Sequence, residues 1–158
     1  MADYLTQADL TARFGGDIEV SFLTGTEDTG APDTDVLDEV IAAAEGVVNM
    51  SLAVRYLTPV SSTDATTTAA VKHIALDLAE LYLRSRRSLL SDVKEAALQA
   101  IIGENGILDK LARGLRVLPG AAVPESTASR RPAQWSDTTR VLADTSGRVF
   151  GRKECAGL

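Results

Sequence analysis

The sequence predicts a mainly α protein, a compact bundle of four or five helices with an extended C-terminal arm or small hairpin. Three observations predict it. Apolar residues recur at helical spacing in three long stretches, around residues 36–52, 70–82 and 97–111. Ala, Leu and Val supply the core while aromatic residues are only 4% of the chain, which favours helices over a β-sandwich. Turn-forming Gly, Pro and Asp gather between the periodic stretches. With 158 residues, 45% of them hydrophobic, the chain can bury a real core and is not disordered throughout. The expected organisation is a helical core over residues 1–118 and a linker and arm over 119–158.

Residues 6–14 read as a short helix. Thr6 caps it, Asp9 completes a capping box in which Asp stands for Glu, Leu10 and Phe14 share a face, and Gly15-Gly16 end it. Ile18, Val20, Phe22 and Leu23 belong to a second segment whose spacing suits either a strand or a helix. Residues 24–35 are a loop by their turn chemistry. Asp33 or Thr34 then caps a long helix whose buried face is Val36, Leu37, Val40, Ile41, Ala44, Val47, Val48 and Leu52. Pro59 lacks an N–H and pushes Thr58 out of the α region, so that helix is expected to close near Tyr56 with Arg55 on its last turn. Arg55, Tyr56 and Pro59 are therefore the expected structural anchors of this end.

A polar connector runs to about Thr66, and Thr66–Thr68 offer an N-cap. The next helix carries Ala70, Val71, Ile74, Ala75, Leu78, Leu81 and Tyr82 on one side and ends in Arg84-Ser85-Arg86-Arg87, with cations where the helix dipole favours them. Ser91 caps a further helix with Ala97, Leu98, Ile101, Ile102, Leu108 and Leu111 as its face. Gly103 and Asn105-Gly106 should kink or break it, and Gly114 is its C-cap. Leu115–Leu118 form a short extended exit. Residues 119–134 read as a linker. Residues 135–153 alternate around Ser146-Gly147 and suit a hairpin or a disordered tail equally well.

Little in the chain points to catalysis. His73 is the one histidine, beside a core-facing isoleucine on a helix, where a structural or surface role is the plain reading. Asp35 and Glu39 share a helix face, yet they sit at a helix start that attracts acid for dipole reasons alone. The single Cys155 excludes an internal disulfide and a cysteine zinc site, and suits a free thiol in a reducing compartment. No calcium-loop, P-loop or dinucleotide pattern is present, so no cofactor or metal is expected. No basic cluster followed by an apolar run opens the chain, and no stretch is apolar enough to span a membrane, so synthesis in a cytoplasm is expected.

Charge is the more telling signal. The net charge is −6, but residues 1–50 hold eleven acids against Arg13 alone, while residues 101–158 hold nine bases against six acids. Such asymmetry suits an acidic front on one subunit meeting a basic back on the next, a heterologous contact that can close into a ring. Arg84, Arg86 and Arg87 are the candidate cations for such an interface, and Asp35, Asp38 and Glu39 the candidate acids. A second reading takes Thr6–Gly15 as the first helix of a helix-turn-helix in a small DNA-binding regulator. The acids that follow, Asp17, Glu19, Glu27 and Asp28, argue against it, because a duplex repels them.

Four segments, in order, resemble the Mu-like phage head–tail connector family, long catalogued as a domain of unknown function. They are Tyr4–Gly15 with Leu23-Thr24, Asp35–Tyr56 closing on Arg55-Tyr56-Leu57-Thr58-Pro59-Val60, Ile74–Leu83, and Leu108–Gly114 ending at Leu118. The tail Arg148-Val149-Phe150-Gly151-Arg152 is similar to family tails. The resemblance implies a non-enzymatic virion protein at the head–tail interface. It implies a twelve-fold homo-oligomeric ring, bound to the portal protein and to a downstream neck or tail-completion protein, through which genomic DNA passes without sequence-specific binding. It also makes Phe150 and Arg152 candidates for docking the arm, and suggests that an acidic lining lets DNA slide past.

Overall fold

In the computed structural model, residues 4–124 are described, and they form six helical segments with no strand among them. The mainly α class is what the sequence predicts. Helix α1 is Gln7–Phe14, α2 Asp17–Thr24, α3 Thr34–Leu52, α4 Ala65–Arg86, α5 Asp92–Ile102 and α6 Ile107–Ala112. The second segment, open from sequence, is a helix. Counted as one broken helix, α5 and α6 leave five.

Local chemistry accounts for most boundaries. Thr6 and Asp9 form a reciprocal capping box on α1, and Gly15 ends that helix in the left-handed region at φ 81°. Gly16 and Gly25 bracket α2, which packs on α1 and α4. Asp33 caps α3 by accepting hydrogen bonds from the N–H groups of Asp35 and Val36. The α5–α6 break falls at Gly103–Gly106 as expected. A Cβ on Gly106 would lie 2.6 Å from the Ile101 carbonyl oxygen, so only glycine permits this backbone approach.

Three boundaries differ from the sequence reading. Asp64, not a threonine of the Thr66–Thr68 run, caps α4, because its carboxylate accepts from the Thr66 N–H at 3.0 Å. Ser91 stands at the N-cap of α5 but makes no side-chain capping bond. Finally, α3 ends at Leu52, four residues before Tyr56, so Arg55 lies beyond its last turn. The Leu52 carbonyl accepts from both Arg55 N–H and Tyr56 N–H, at 2.9 and 2.8 Å, and this tight turn swings the Tyr56 ring back inward. Hydrogen bonding of the helical kind thus reaches Tyr56, whose ring is buried, and Pro59 follows three residues on.

Helix α4 is the centre. It touches α1, α2, α3 and α5, and its buried residues, among them Val71, Ala75, Leu76, Leu78, Ala79, Leu81 and Leu83, lie around most of its circumference rather than on one side. Its main partner is the α3 face formed by Leu37, Val40, Ile41, Ala44, Val48 and Leu52. Helix α4 runs back along α3, so that Arg86 at its C-terminal end reaches Glu39 near the start of α3, at 3.0 Å.

Two tyrosines fasten the connector after α3. Tyr4 donates from its hydroxyl to Asn49 at 2.6 Å and accepts the Val60 N–H at 2.7 Å. Tyr56, buried to 2% exposure, accepts the Leu118 N–H at 3.1 Å. Residues 119–122 also hold to the connector. The Pro119 carbonyl accepts from the Ser62 and Thr67 hydroxyls, and Leu57 N–H donates to the Ala122 carbonyl. Tyr56→Phe removes one acceptor and strands a buried N–H, so it should cost about 1–2 kcal/mol in denaturant unfolding while the far-UV spectrum stays unchanged. An unchanged unfolding midpoint would show that water replaces the hydroxyl.

Candidate functional site

The acidic and basic side chains resolve into one buried hub and two poles. Glu80 on α4 is the hub, 7% exposed. Its carboxylate accepts from Arg13 Nε on α1 at 3.0 Å, Arg84 Nε one turn on at 3.1 Å, and Lys94 Nζ on α5 at 2.6 Å. Burial pushes this carboxyl up, but the hydrogen bonds from Lys94, Arg13 and Arg84 outweigh it and hold the group at about 2. A carboxylate so firmly ionised cannot exchange a proton near neutrality, which is what general acid–base work needs. An open cavity of about 180 Å³ borders the hub, lined by Arg13, Asp77, Lys94 and Ile101 among others. A fastening of α1, α4 and α5 is the role this geometry describes.

Among the described residues, the other candidate groups stand apart from one another. His73 is exposed on α4. Among the described residues no three His, Cys, Asp or Glu side chains are grouped to hold a metal ion. No helix among them is long and apolar enough to cross a membrane. Cys155, Phe150 and Arg152 lie outside the described residues, as does most of the predicted arm.

The three candidate interface arginines all have partners within the chain. Arg84 pairs with Glu80 and lies over the Phe14 ring, 5.2 Å from its centroid. Arg86 meets Glu39, another predicted interface residue. Arg87 pairs with Glu27 at 2.7 Å, donates to the Phe22 carbonyl and covers the Phe22 ring. Asp38 accepts from the Gln7 side chain at 2.7 Å, and Asp35 is exposed. The arginine cluster thus clamps α2, α3 and α4 together, and its removal would loosen the fold as well as any contact.

With those pairs made, two further groups of charge stand at opposite ends of the α3–α4 pair, while Asp92, Glu95 and Glu104 lie on or just after α5. One pole comprises α2, the loop after it, the start of α3 and the end of α4. It carries Asp17, Glu19, Asp28, Asp35 and Asp38, with Ile18 82% and Phe22 47% exposed. The opposite pole comprises the end of α3, the connector and the exit after α6. With α6 included, it carries Arg55, Lys110, Arg113 and Arg116 against Asp64 and Asp109, the last paired with Arg113, and it exposes Met50, Val54, Leu57, Leu115 and Val117. The Tyr56–Leu118 and Leu57–Ala122 bonds bring the connector and the exit after α6 to the same end of the bundle. The Arg55 guanidinium also presses on the Gly114 backbone, in the space a Cβ there would fill. Pro59 follows a cis peptide bond at the same end and is exposed. The nineteen residues of α3 separate the poles by about 28 Å.

The helix-turn-helix resemblance fares poorly on charge. Helix α2, where a recognition helix would stand, carries Asp17 and Glu19 and no cation.

Over the described residues, fold and surface define a mainly helical protein with an acidic and a basic pole, each carrying exposed apolar side chains. The chain belongs to the bacteriophage Mu Gp36 family, whose model matches residues 4–136. No curated protein matches it. It is therefore a phage-type protein. The match spans all six helices and the four segments that carry the resemblance up to Leu118.

Proposed function

We propose that this protein is a structural, non-catalytic head–tail connector. In this reading it forms a ring between the portal protein and the next neck or tail-completion component and continues the DNA channel. The observation that carries the reading is the family match over residues 4–136, on a chain whose outward features are two charged poles. The buried carboxylate of Glu80 is committed to three cations, which supports a structural over an enzymatic role. An excess of exposed acid at one pole would let DNA pass without adhering, since like charge repels phosphate.

The test is to purify particles from producing cells and count copies of this chain per particle by quantitative mass spectrometry. A small fixed number, matching a single ring, is the expected result. Its absence from particles, with the chain recovered free, would sink the connector reading. Salt-sensitive duplex binding by that free chain would favour the regulator instead.

A further inference from the structure

We propose that the two poles are the two halves of one contact between copies of this chain. The acidic pole of one copy, around Ile18 and Phe22, would seat on the basic pole of the next, around Val54, Leu57, Leu115 and Val117. The inference rests on the ring reading and names the surface that builds the ring.

Three features carry it. Each pole exposes several large apolar side chains: Ile18 is 82% exposed, Val54 and Leu115 68% each, and Val117 61%, while Val93 on α5, 78% exposed, stands apart from both. The charges beside them are opposite, Asp17 and Glu19 on one side against Arg55 and Arg116 on the other, and complementary potential fixes register and excludes the like-charged pairing. The poles lie about 28 Å apart along α3, so they form distinct patches rather than one. A pole facing its own copy by a two-fold axis would set acid against acid or base against base. The favoured contact is therefore head-to-tail, leaves one pole free on every copy added, and ends when rotation closes the ring. The predicted arginine cluster is not its basic half, because Arg84, Arg86 and Arg87 sit at the acidic pole and are spent on Glu80, Glu39 and Glu27.

Head-to-tail geometry has a distinctive signature in mixtures. Two full-length variants are needed, I18K/E19K at the acidic pole and L115K/V117K at the basic one, all four at exposed positions. Sedimentation velocity over a concentration series reads the outcome, with circular dichroism to confirm folding. Wild type should associate beyond the dimer as concentration rises. Each variant alone should associate at least about tenfold more weakly. Mixed one to one, the intact basic pole of the first should capture the intact acidic pole of the second and stop at a heterodimer, because the two altered poles both carry lysine. Unimpaired association of either variant, or a mixture that stays monomeric, would overturn the proposal. So would a wild type that is monomeric throughout, which would assign the poles to a different protein. None of these results changes the copy number in particles, so failure of this surface is separable from failure of the connector reading.

Discussion

Glu80→Gln should lower the stability of the folded chain by about 2 kcal/mol at neutral pH and flatten its response to acid. The reasoning starts from the ordinary carboxyl value of 4.5, against about 2 in the folded protein. A difference of that size corresponds to at most about 3 kcal/mol. The Arg13 and Lys94 side chains stay 39% and 40% exposed, so water shares their charge and the smaller figure applies. The sign follows from the lowered value. The stabilisation is whole above pH 4.5 and drains away as pH falls towards about 2, where the folded state also takes up the proton. Thermal unfolding at pH 7 should shift down by roughly 5 °C. Between pH 5 and pH 2.5 the wild type should lose more stability than the variant, so the two melting curves converge. Parallel curves would show that other carboxylates govern the acid response.

Gly114→Ala should cost about 2–3 kcal/mol, more than glycine replacement in an ordinary turn. Two causes add. Gly114 has φ 75°, which costs a side-chain-bearing residue about 1 kcal/mol. The Arg55 guanidinium also occupies the place of the new Cβ and must leave it. The causes separate in a double-mutant cycle. On an Arg55→Ala background the collision is gone, and Gly114→Ala should cost only about 1 kcal/mol. Equal cost on both backgrounds would mean that Arg55 moves aside freely and that backbone strain alone matters.

How much of this was legible in the sequence depends on the span of each interaction. Caps and breaks within a few residues could be read: the Thr6–Asp9 box, Asp33 before α3, and the Gly103–Gly106 interruption. The cap of α4 is ambiguous in sequence, because three threonines offer hydroxyls beside Asp64, whose carboxylate is the group that accepts the Thr66 N–H. The end of α3 is legible from Pro59, a strong local signal, to within four residues, but the bond that holds the Tyr56 hydroxyl there comes from Leu118, sixty-two residues on. The hub was half visible. Glu80 and Arg84 are four apart on a helix, but Arg13 and Lys94 arrive by packing of α1 and α5 on α4. The arginine cluster shows the same limit. Its cations suit both a helix end and a protein interface, and only the folded chain shows Glu39 and Glu27 lying 47 and 60 residues away and already taking them. The acidic front was plain in the sequence, but the basic pole opposing it was not. Arg55 is far in sequence from Lys110 and Arg116, and reaches their segment only through its approach to the Gly114 backbone.

That crossing has a mechanical consequence. A pull on the chain beyond Pro124 does not peel a helix away turn by turn. It falls first on the Leu57–Ala122 bond and on the Ser62 and Thr67 hydroxyls gripping Pro119, with the Tyr56 hydroxyl behind them on Leu118. Bonds gathered over so short a stretch of connector share tension, and the connector is itself held from the other side through Tyr4 and Asn49. Thr67 belongs to the first turn of α4, so part of the load enters the central helix at its N-terminal end, and whatever the C-terminal residues grasp, the tension is spread over hydroxyl and backbone groups at one end of the bundle.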